Sequence, residues 1–249
     1  MASTLITAYL GKGTAAARPA TPLITTGSLG IYYATDTDVM SFYLNGAWRN
    51  APLYDPGTVP TVVQVAFTPN HATGVTFGVA PTNGNLLIAM NFNTTAHTAA
   101  AGWTLQFENT SGTDFGSVFS KVAGAGESTS QTPITAAGTA GGMVVWEIAG
   151  ANATFLAAGA SQAEQSGTAS LPVSFPCVKN CLALSAVGVV TGVTISKQFN
   201  AGVQDVLDNT GERKLYAGHT DITKTPLAGV FVGLSGTGSS KSITVLITS

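Results

Sequence analysis

The stretch GWTLQFENTSGTDFGSVFSKVAG, residues 102–124, decides the fold class of this chain. Two runs of aromatic, β-branched and hydroxyl residues flank a Ser-Gly pair, which is typical of two antiparallel strands joined by a tight turn. A similar arrangement follows about ninety residues later, in GVTISKQFNAGVQDVLDNTGERKLYAGHT at residues 192–220. The sequence therefore predicts a β-hairpin that the chain uses twice.

The strands around this hairpin are repeated with it. NLLIAMNFN at residues 85–93 corresponds to NCLALSAVGVV at 180–190, and GGMVVWEIAG at 141–150 corresponds to LAGVFVGLSG at 227–236. A duplicated set of about four strands suits a two-sheet sandwich of the jelly-roll kind. Because no long segment has a helical hydrophobic period, we predict an all-β fold whose main domain, residues 61–249, is a jelly-roll-like antiparallel β-sandwich.

The composition supports this fold class and excludes two functions. Charged residues make up 9% of the chain, against about 25% in an average soluble domain, and long surface helices need many charges. The net charge of −2 and the absence of a basic run argue against nucleic-acid binding. The longest apolar stretch is interrupted by Glu147 and Asn152, so we expect a buried strand and a loop there and no membrane insertion. A surface with so few charges predicts an oligomer whose copies cover part of it.

A separate N-terminal module is predicted ahead of the sandwich. Residues 1–26 are rich in Pro, Ala and Thr and have little periodicity, which indicates an extended arm rather than a packed element. Residues 27–58 read as a β-hairpin attachment module, with strands at Ile31–Ala34 and Met40–Leu44 and an Asn-Gly turn at 45–46. The Pro-rich PLYDPGTVP then marks the boundary with the sandwich.

The chain has two cysteines, Cys177 and Cys181. Strand residues four apart are too distant to form a disulfide, so a bridge needs a turn at Val178–Asn180, which Asn180 permits. A C-x-x-x-C spacing without a nearby His is a weak metal signal. Since disulfides are rare in reducing compartments, we favour two unbonded thiols.

The N-terminal hairpin resembles a known module. GSLGIYYATDTDVMSFYLNGAWRNA at residues 27–51 is similar to a stretch of tailed-bacteriophage structural proteins, in which Y-Y-A-T-D-T-G leads into an aromatic strand and then N-G…A-W. The chain departs from that pattern at Asp38, where the pattern has Gly. The residues that it keeps are Tyr32, Tyr33, Ala34, Thr35, Asp36, Thr37, Asn45, Gly46, Ala47 and Trp48.

The main domain resembles phage-associated sandwich domains with the run G-x-L-L-I-A…A-G-W-T…V-F-x-K-V-A-G…W-E-I-A-G. The matching residues are Leu86, Leu87, Ala101, Gly102, Trp103, Phe119, Lys121, Val122, Trp146, Glu147 and Ile148. Together the two resemblances cover most of the chain. They imply adhesion or assembly rather than catalysis, by analogy of fold and motif.

The resemblance implies a non-enzymatic virion protein, assembled in the host cytoplasm. We expect a homotrimeric tail-fibre or head-fibre-like appendage, attached to portal, tail or capsid proteins by its N-terminal region and displaying the sandwich to a host-surface glycan. The first alternative is a capsid decoration or head-fibre protein that stabilises the shell. The second is a glycan depolymerase, which would use two carboxylates.

No catalytic, cofactor-binding or metal-binding residue is assigned from the sequence. The three histidines stand in polar, turn-like contexts and are expected to be solvated loop residues: His71, His97 and His219. The carboxylates that a depolymerase could use are Glu108, Asp114, Asp205, Asp208 and Glu212. Of these, Asp208 opens Asp-Asn-Thr-Gly and is expected first of all to form a hairpin turn. For Asp36 and Asp38, turn capping is favoured over Ca²⁺ binding.

Several aromatic and charged residues receive structural assignments. The candidate attachment or interface residues are Tyr32, Tyr33, Trp48 and Arg49. The predicted sandwich core includes Trp103, Phe119 and Trp146. Trp48 can stack on a sugar or a neighbouring subunit, but we favour its closing the hairpin's own small core. Glu147 alternates with apolar neighbours, which predicts a position at the rim or facing solvent.

Overall fold

The all-β prediction is confirmed by the computed structural model. The residues that it describes are 9–20, 30–36, 39–44, 47–52, 58–70, 73–109, 115–135, 141–151, 157–171, 180–189, 194–197, 203–210, 214–222 and 230–249. Across these ranges the chain forms β-strands and one short 3-10 turn at Ala15–Ala17, with no α-helix. No helix within them is long and apolar enough to cross a membrane. The chain divides into two compact units, Met1–Pro56 and Gly57–Ser249.

The first unit contains a four-stranded sheet in the order β1-β2-β3-β4. Its strands are β1 (Tyr9–Gly13), β2 (Gly30–Ala34), β3 (Val39–Leu44) and β4 (Ala47–Pro52). β1 pairs in parallel with β2, while β2–β3 and β3–β4 are antiparallel.

Residues 9–20 therefore belong to this module, and the prediction of an extended arm rather than a packed element is wrong for them. The carbonyl of Gly13 accepts hydrogen bonds from the backbone N–H of Thr35 at 2.8 Å and from its hydroxyl at 3.2 Å. Sequence periodicity missed β1 because the partner of a parallel edge strand lies far along the chain, across a long connection.

The second unit contains two large antiparallel sheets, one from each half of its sequence, with five strands in the first and six in the second. The first sheet has the order β5-β13-β7-β10-β9 and consists of β5 (Thr61–Thr68), β7 (Leu86–Asn93), β9 (Thr104–Asn109), β10 (Phe115–Val122) and β13 (Gly141–Ala149). The second has the order β14-β19-β15-β18-β17 and includes β14 (Ala157–Leu171), β15 (Cys181–Val189), β17 (Val203–Asp208), β18 (Lys214–Ile222) and β19 (Val230–Ile247).

Five short strands complete the unit. β16 (Ile195–Lys197) pairs with β19 and is the sixth strand of the second sheet. Two isolated pairs join β6 (Val75–Thr76) to β11 (Ser130–Gln131) and β8 (Thr98–Ala99) to β12 (Ile134–Thr135).

The two large sheets have the same connectivity. Numbered within each half, the five strands lie in the order 1-5-2-4-3 in both sheets. The internal repeat predicted from the sequence is confirmed at this level. Because each half keeps its five strands in one sheet, the pairing gives no support to the jelly-roll connectivity.

The sheets pack face to face as a sandwich, with the repeats in an exchange-symmetric arrangement. β13 of the first half packs on β18 of the second, and β10 of the first packs on β19 of the second. These are the same two contacts with the halves exchanged, since strand 5 meets strand 4 in each. The central strands of the two sheets are also in contact, at Phe92 in β7 and Gly188 in β15. This is the pattern of an isologous interface, here inside one chain.

The core between the sheets is apolar and draws on both halves. Its fully buried members include Trp146 from the first sheet, with Leu184 and Val245 from the second. A second cluster covers the other face of the first sheet and includes Trp103 and Phe119. The structure thus places Trp103, Phe119 and Trp146 inside the domain, at 7%, 0% and 0% exposure.

Candidate functional site

The candidate site lies at the β17–β18 edge of the second sheet and is built around Asp205 and His219. Val203 in β17 pairs with His219 in β18, and the register shifts between Gln204 and Val206, so that Asp205 is the extra residue of a β-bulge. A bulge bends its strand and redirects a side chain. Here it turns the Asp205 carboxylate toward two partners at once.

Those partners come from different sheets. Trp146 Nε1, in the first sheet, donates a hydrogen bond of 2.7 Å to Asp205 Oδ2. His219 Nδ1, in the second sheet, lies 2.9 Å from each of the two Asp205 oxygens. Since Trp146 is fully buried, Asp205 holds the imidazole of His219 to a rigid support.

The surroundings of His219 raise its pKa and so shift the imidazole toward its protonated form. The hydrogen bond to Asp205 raises the pKa of His219 above its ordinary value of 6.5, partial burial works against that rise, and the negative charges of Asp205 and Asp221 add to it. The imidazole side chain is 19% exposed and the Asp205 side chain 6%. The site therefore combines a buried carboxylate with a partly accessible imidazole whose pKa is raised.

A surface cavity opens beside this pair. Its volume is about 260 Å³, and its described lining consists of Val203, His219, Thr220 and Asp221. Val203 is 54% exposed and provides an apolar wall. His219 and Asp221 are two residues apart in β18, so they lie on the same face of the strand.

The prediction of solvated loop histidines is wrong for the two described histidines. His219 is a strand residue paired with a carboxylate, and His97 is buried with its side chain 2% exposed. Neither ring is fully solvated, because Nδ1 of each histidine contacts a side chain that is distant in sequence, Ser117 for His97 and Asp205 for His219. His71 lies outside the described residues.

His97 forms a second polar cluster, with Glu108 and Ser117 on the first sheet. Its Nδ1 contacts Ser117 Oγ and lies 3.4 Å from Glu108 Oε1, while its backbone N–H donates to the same Glu108 oxygen at 2.9 Å. In a Ser–His–acid triad the hydroxyl and the acid use opposite ring nitrogens. Here both lie at Nδ1, so the cluster has the geometry of a structural network.

The remaining candidate carboxylates are engaged or lie outside the described residues. Asp208 Oδ1 accepts hydrogen bonds from the backbone N–H and the hydroxyl of Thr210 at 2.8 and 2.6 Å, as the predicted turn requires. Asp114 and Glu212 fall outside the described ranges, as does Asp38. Asp36 Oδ1 accepts from the N–H of Ala15 at 2.7 Å. Among the residues that the structure describes, no group of three His, Cys, Asp or Glu could hold a metal ion.

Glu147 corrects a further expectation, since it is fully buried rather than at the rim. Its two carboxylate oxygens accept hydrogen bonds from Gln64 Nε2 at 2.5 Å, Asn85 Nδ2 at 2.6 Å and the N–H of Thr82 at 2.7 Å. Burial alone would raise the pKa of Glu147, but these hydrogen bonds outweigh it and hold the pKa below the ordinary 4.5. The carboxylate fastens the segment before β7 to the first sheet.

The N-terminal aromatic residues are mainly occupied within their own unit. Tyr32 is 3% exposed and donates from its hydroxyl to the Thr14 carbonyl at 3.0 Å. Trp48 Nε1 donates to the Pro19 carbonyl at 2.7 Å, and the guanidinium of Arg18 lies 5.5 Å from the Trp48 ring centroid.

Trp48 also makes edge contacts with Tyr32 and Tyr43, at centroid distances of 6.3 and 5.3 Å. Its described contacts thus close the module's own small core. Tyr33 is half-buried beside Lys12, and Arg49 pairs with Phe42 through its backbone, while its side chain lies outside the described part. Arg18 was missed by sequence reasoning, because an Ala- and Pro-rich stretch carries no strand or helix signal.

The preference for unbonded thiols is also wrong, because Cys181 is disulfide-bonded. The chain's other cysteine, Cys177, lies outside the described residues. The rarity of disulfides in reducing compartments misled the prediction, and disulfides persist in oxidising surroundings, which include virion surfaces.

The chain matches no protein-family model, no curated protein and no solved structure. The candidate site therefore rests on its geometry alone.

Proposed function

We propose that this protein is a non-enzymatic structural subunit of a bacteriophage virion. In this proposal it is a fibre or appendage protein that attaches through its N-terminal unit to other virion proteins and presents its β-sandwich to glycans on the host surface. A homotrimer would repeat each weak glycan contact and raise the overall avidity.

The observation that carries the proposal is the role of the phage-like motif in the first unit. Tyr32, Asp36 and Trp48 belong to that motif, and each binds the segment 13–20, through Thr14, Ala15 and Pro19 respectively. Residues that hold a small module together are those that a shared module would need to keep. The motif therefore supports a common attachment unit rather than a ligand site.

The polar side chains of the second unit also favour binding over catalysis. Glu108, Glu147 and Asp208 are tied to backbone N–H groups, and Asp205 is shared between Trp146 and His219. Glycosidases instead place two carboxyl groups across a substrate cleft. A small cavity at the edge of the second sheet suits weak, repeated recognition of a glycan.

The direct test is to locate the protein in intact particles by electron microscopy, with a gold-labelled antibody raised against the full chain. We expect label on the tail or on another appendage. Particles without label would overturn the virion assignment. Label confined to the capsid shell would instead support the decoration role.

The adhesin part of the proposal has its own test. The fluorescently labelled full chain is applied to host cells and to a glycan array. We expect binding that free glycan competes away. Absence of binding to both would remove the adhesin role and leave a purely structural one.

A further inference from the structure

We propose that the cavity beside His219 is a binding subsite for one ring of a neutral saccharide. The class of ligand, a glycan, rests on the proposed function. The position of the subsite rests on the cavity itself. Within one depression, its described lining offers an imidazole from His219, a carboxylate from Asp221 and an apolar wall from Val203.

The lining groups match the chemistry of a sugar ring. A carboxylate accepts hydrogen bonds from two hydroxyl groups, and the ring nitrogen of His219 that does not face Asp205, Nε2, is free of that bond to meet a third. Val203, 54% exposed, can cover an apolar C–H face of the ring. Small-molecule sites combine such a wall with a few well-placed polar groups.

The imidazole is held in place before any ligand arrives. Its Nδ1 lies 2.9 Å from both oxygens of Asp205, and Asp205 is itself fixed by the buried Trp146 Nε1 at 2.7 Å. A pre-positioned group loses little rotational freedom on binding, which favours affinity. The residues that aim His219 thus come from both sheets of the sandwich.

Size and charge narrow the ligand class. A cavity of about 260 Å³ lies below the range of about 300–1,000 Å³ usual for drug-sized ligands, so it suits one ring rather than a chain. Protonated His219 offsets the charge of Asp205, so Asp221 leaves the lining with a surplus negative charge that disfavours an anionic sugar. The subsite is therefore assigned to a neutral hexose or N-acetylhexosamine residue of a longer glycan.

The test uses saturation-transfer difference NMR on the full chain. The probes are the methyl glycosides of glucose, galactose, mannose and N-acetylglucosamine, with sialic acid as the anionic comparison. The main variant is Asp221→Asn, which removes the charge from an exposed residue. The matched control is Asp36→Asn, the same change in the first unit, and Val203→Ser is a second variant that removes the apolar wall.

We expect at least one neutral glycoside to give a signal that Asp221→Asn weakens by about tenfold. Val203→Ser should weaken it as well, while Asp36→Asn leaves it unchanged and sialic acid gives none. Silence from every neutral glycoside would overturn the inference. Equal signals from Asp221→Asn and the wild type would also overturn it, provided that Asp221→Asn keeps the wild-type melting temperature.

The outcome is separable from that of the proposed function. If the chain binds host cells and Asp221→Asn binds them equally well, the glycan site lies elsewhere and only the subsite fails. If glycoside binding depends on Asp221 but virions carry no label, the virion role fails and the subsite stands.

Discussion

A single buried carboxylate, Glu147, links the apolar centre of β13 to the segment that precedes β7. Its burial costs free energy that three hydrogen bonds offset, from Gln64, Thr82 and Asn85. The pKa of a carboxyl held in this way is lowered in the folded state only. Its stabilising contribution is therefore complete above about pH 4.5 and is lost as the pH falls through the lowered pKa.

We predict that Glu147→Gln destabilises the second unit by about 1–3 kcal/mol at pH 7, because the amide turns an N–H group toward the existing donors. The measurement is urea unfolding followed by circular dichroism at pH 7 and at pH 3. The difference between variant and wild type should shrink at pH 3, where the wild-type carboxyl is closer to neutral. An unchanged difference across this range would show that Glu147 contributes through packing and not through its charge.

At the scale of single elements, the closest approach between the two sheets is the crossing of β7 and β15. A Cβ atom on Gly188 would lie 2.4 Å from Cγ of Phe92 and 2.5 Å from its Cβ. Two central strands can meet this closely only when one of them lacks a side chain. Gly188 is therefore required for the spacing of the sandwich.

We predict that Gly188→Ala destabilises the second unit by about 1–3 kcal/mol or more, because Phe92 lies between two packed sheets and has little room to move. Gly78→Ala is the matched control, since a Cβ there meets nothing within 4 Å. Thermal unfolding of both variants checks the prediction. Equal melting temperatures for the two would contradict the close crossing of β7 and β15.

A polar contact also joins the two sheets: Trp146 in β13 donates a hydrogen bond to Asp205 in β17, and Asp205 pairs with His219 in β18. Because the pKa of His219 is raised in the folded state, the stability from its charged pair with Asp205 is fully present below about pH 6.5. It is lost as the pH rises through the raised pKa.

We predict that Asp205→Asn lowers the melting temperature by about 2–4 °C at pH 6, which corresponds to about 1 kcal/mol for a chain of this size. The asparagine oxygen can still accept from Trp146, so the change isolates the charged pair with His219. The deficit should narrow when the measurement is repeated at pH 9. A deficit that is constant between pH 6 and pH 9 would contradict this assignment.

At the scale of the whole molecule, the chain consists of a small module and a duplicated sandwich. Met1–Pro56 and Gly57–Ser249 are each compact. Within the second unit, the two halves bury their apolar faces against one another. Either sheet without the other would expose its apolar face to water. This burial makes the sandwich the natural unit of cooperative folding.

We predict that a fragment spanning Gly57–Ser249 folds without the first unit and unfolds in one transition, because its core is complete within that range. Circular dichroism and thermal unfolding, compared with the full chain, provide the measurement. An unfolded fragment would show that the first unit supplies part of the stability of the second.

The strand content, the internal repeat and the turn at Asp208 follow from the amino-acid sequence, since alternation, β-branched residues and Asx-turn chemistry are local properties. Motif resemblance drew attention to Tyr32 and Trp48, but their partners Thr14 and Pro19 lie in a stretch with no periodic signal.

Which polar side chains are buried, and what they bind, depends on the packing of the folded chain. Glu147, His97 and His219 appear in sequence as isolated polar residues, yet each meets partners from another strand or loop. The GWTLQFENTSGTDFGSVFSKVAG stretch at 102–124 predicts a hairpin. The burial of its second strand, β10, on both faces depends on the second sheet and on the short strand pairs that cover the first sheet. Strand formation depends on neighbours in sequence, whereas the burial and charge of a side chain depend on groups that only the packing of the two halves brings together.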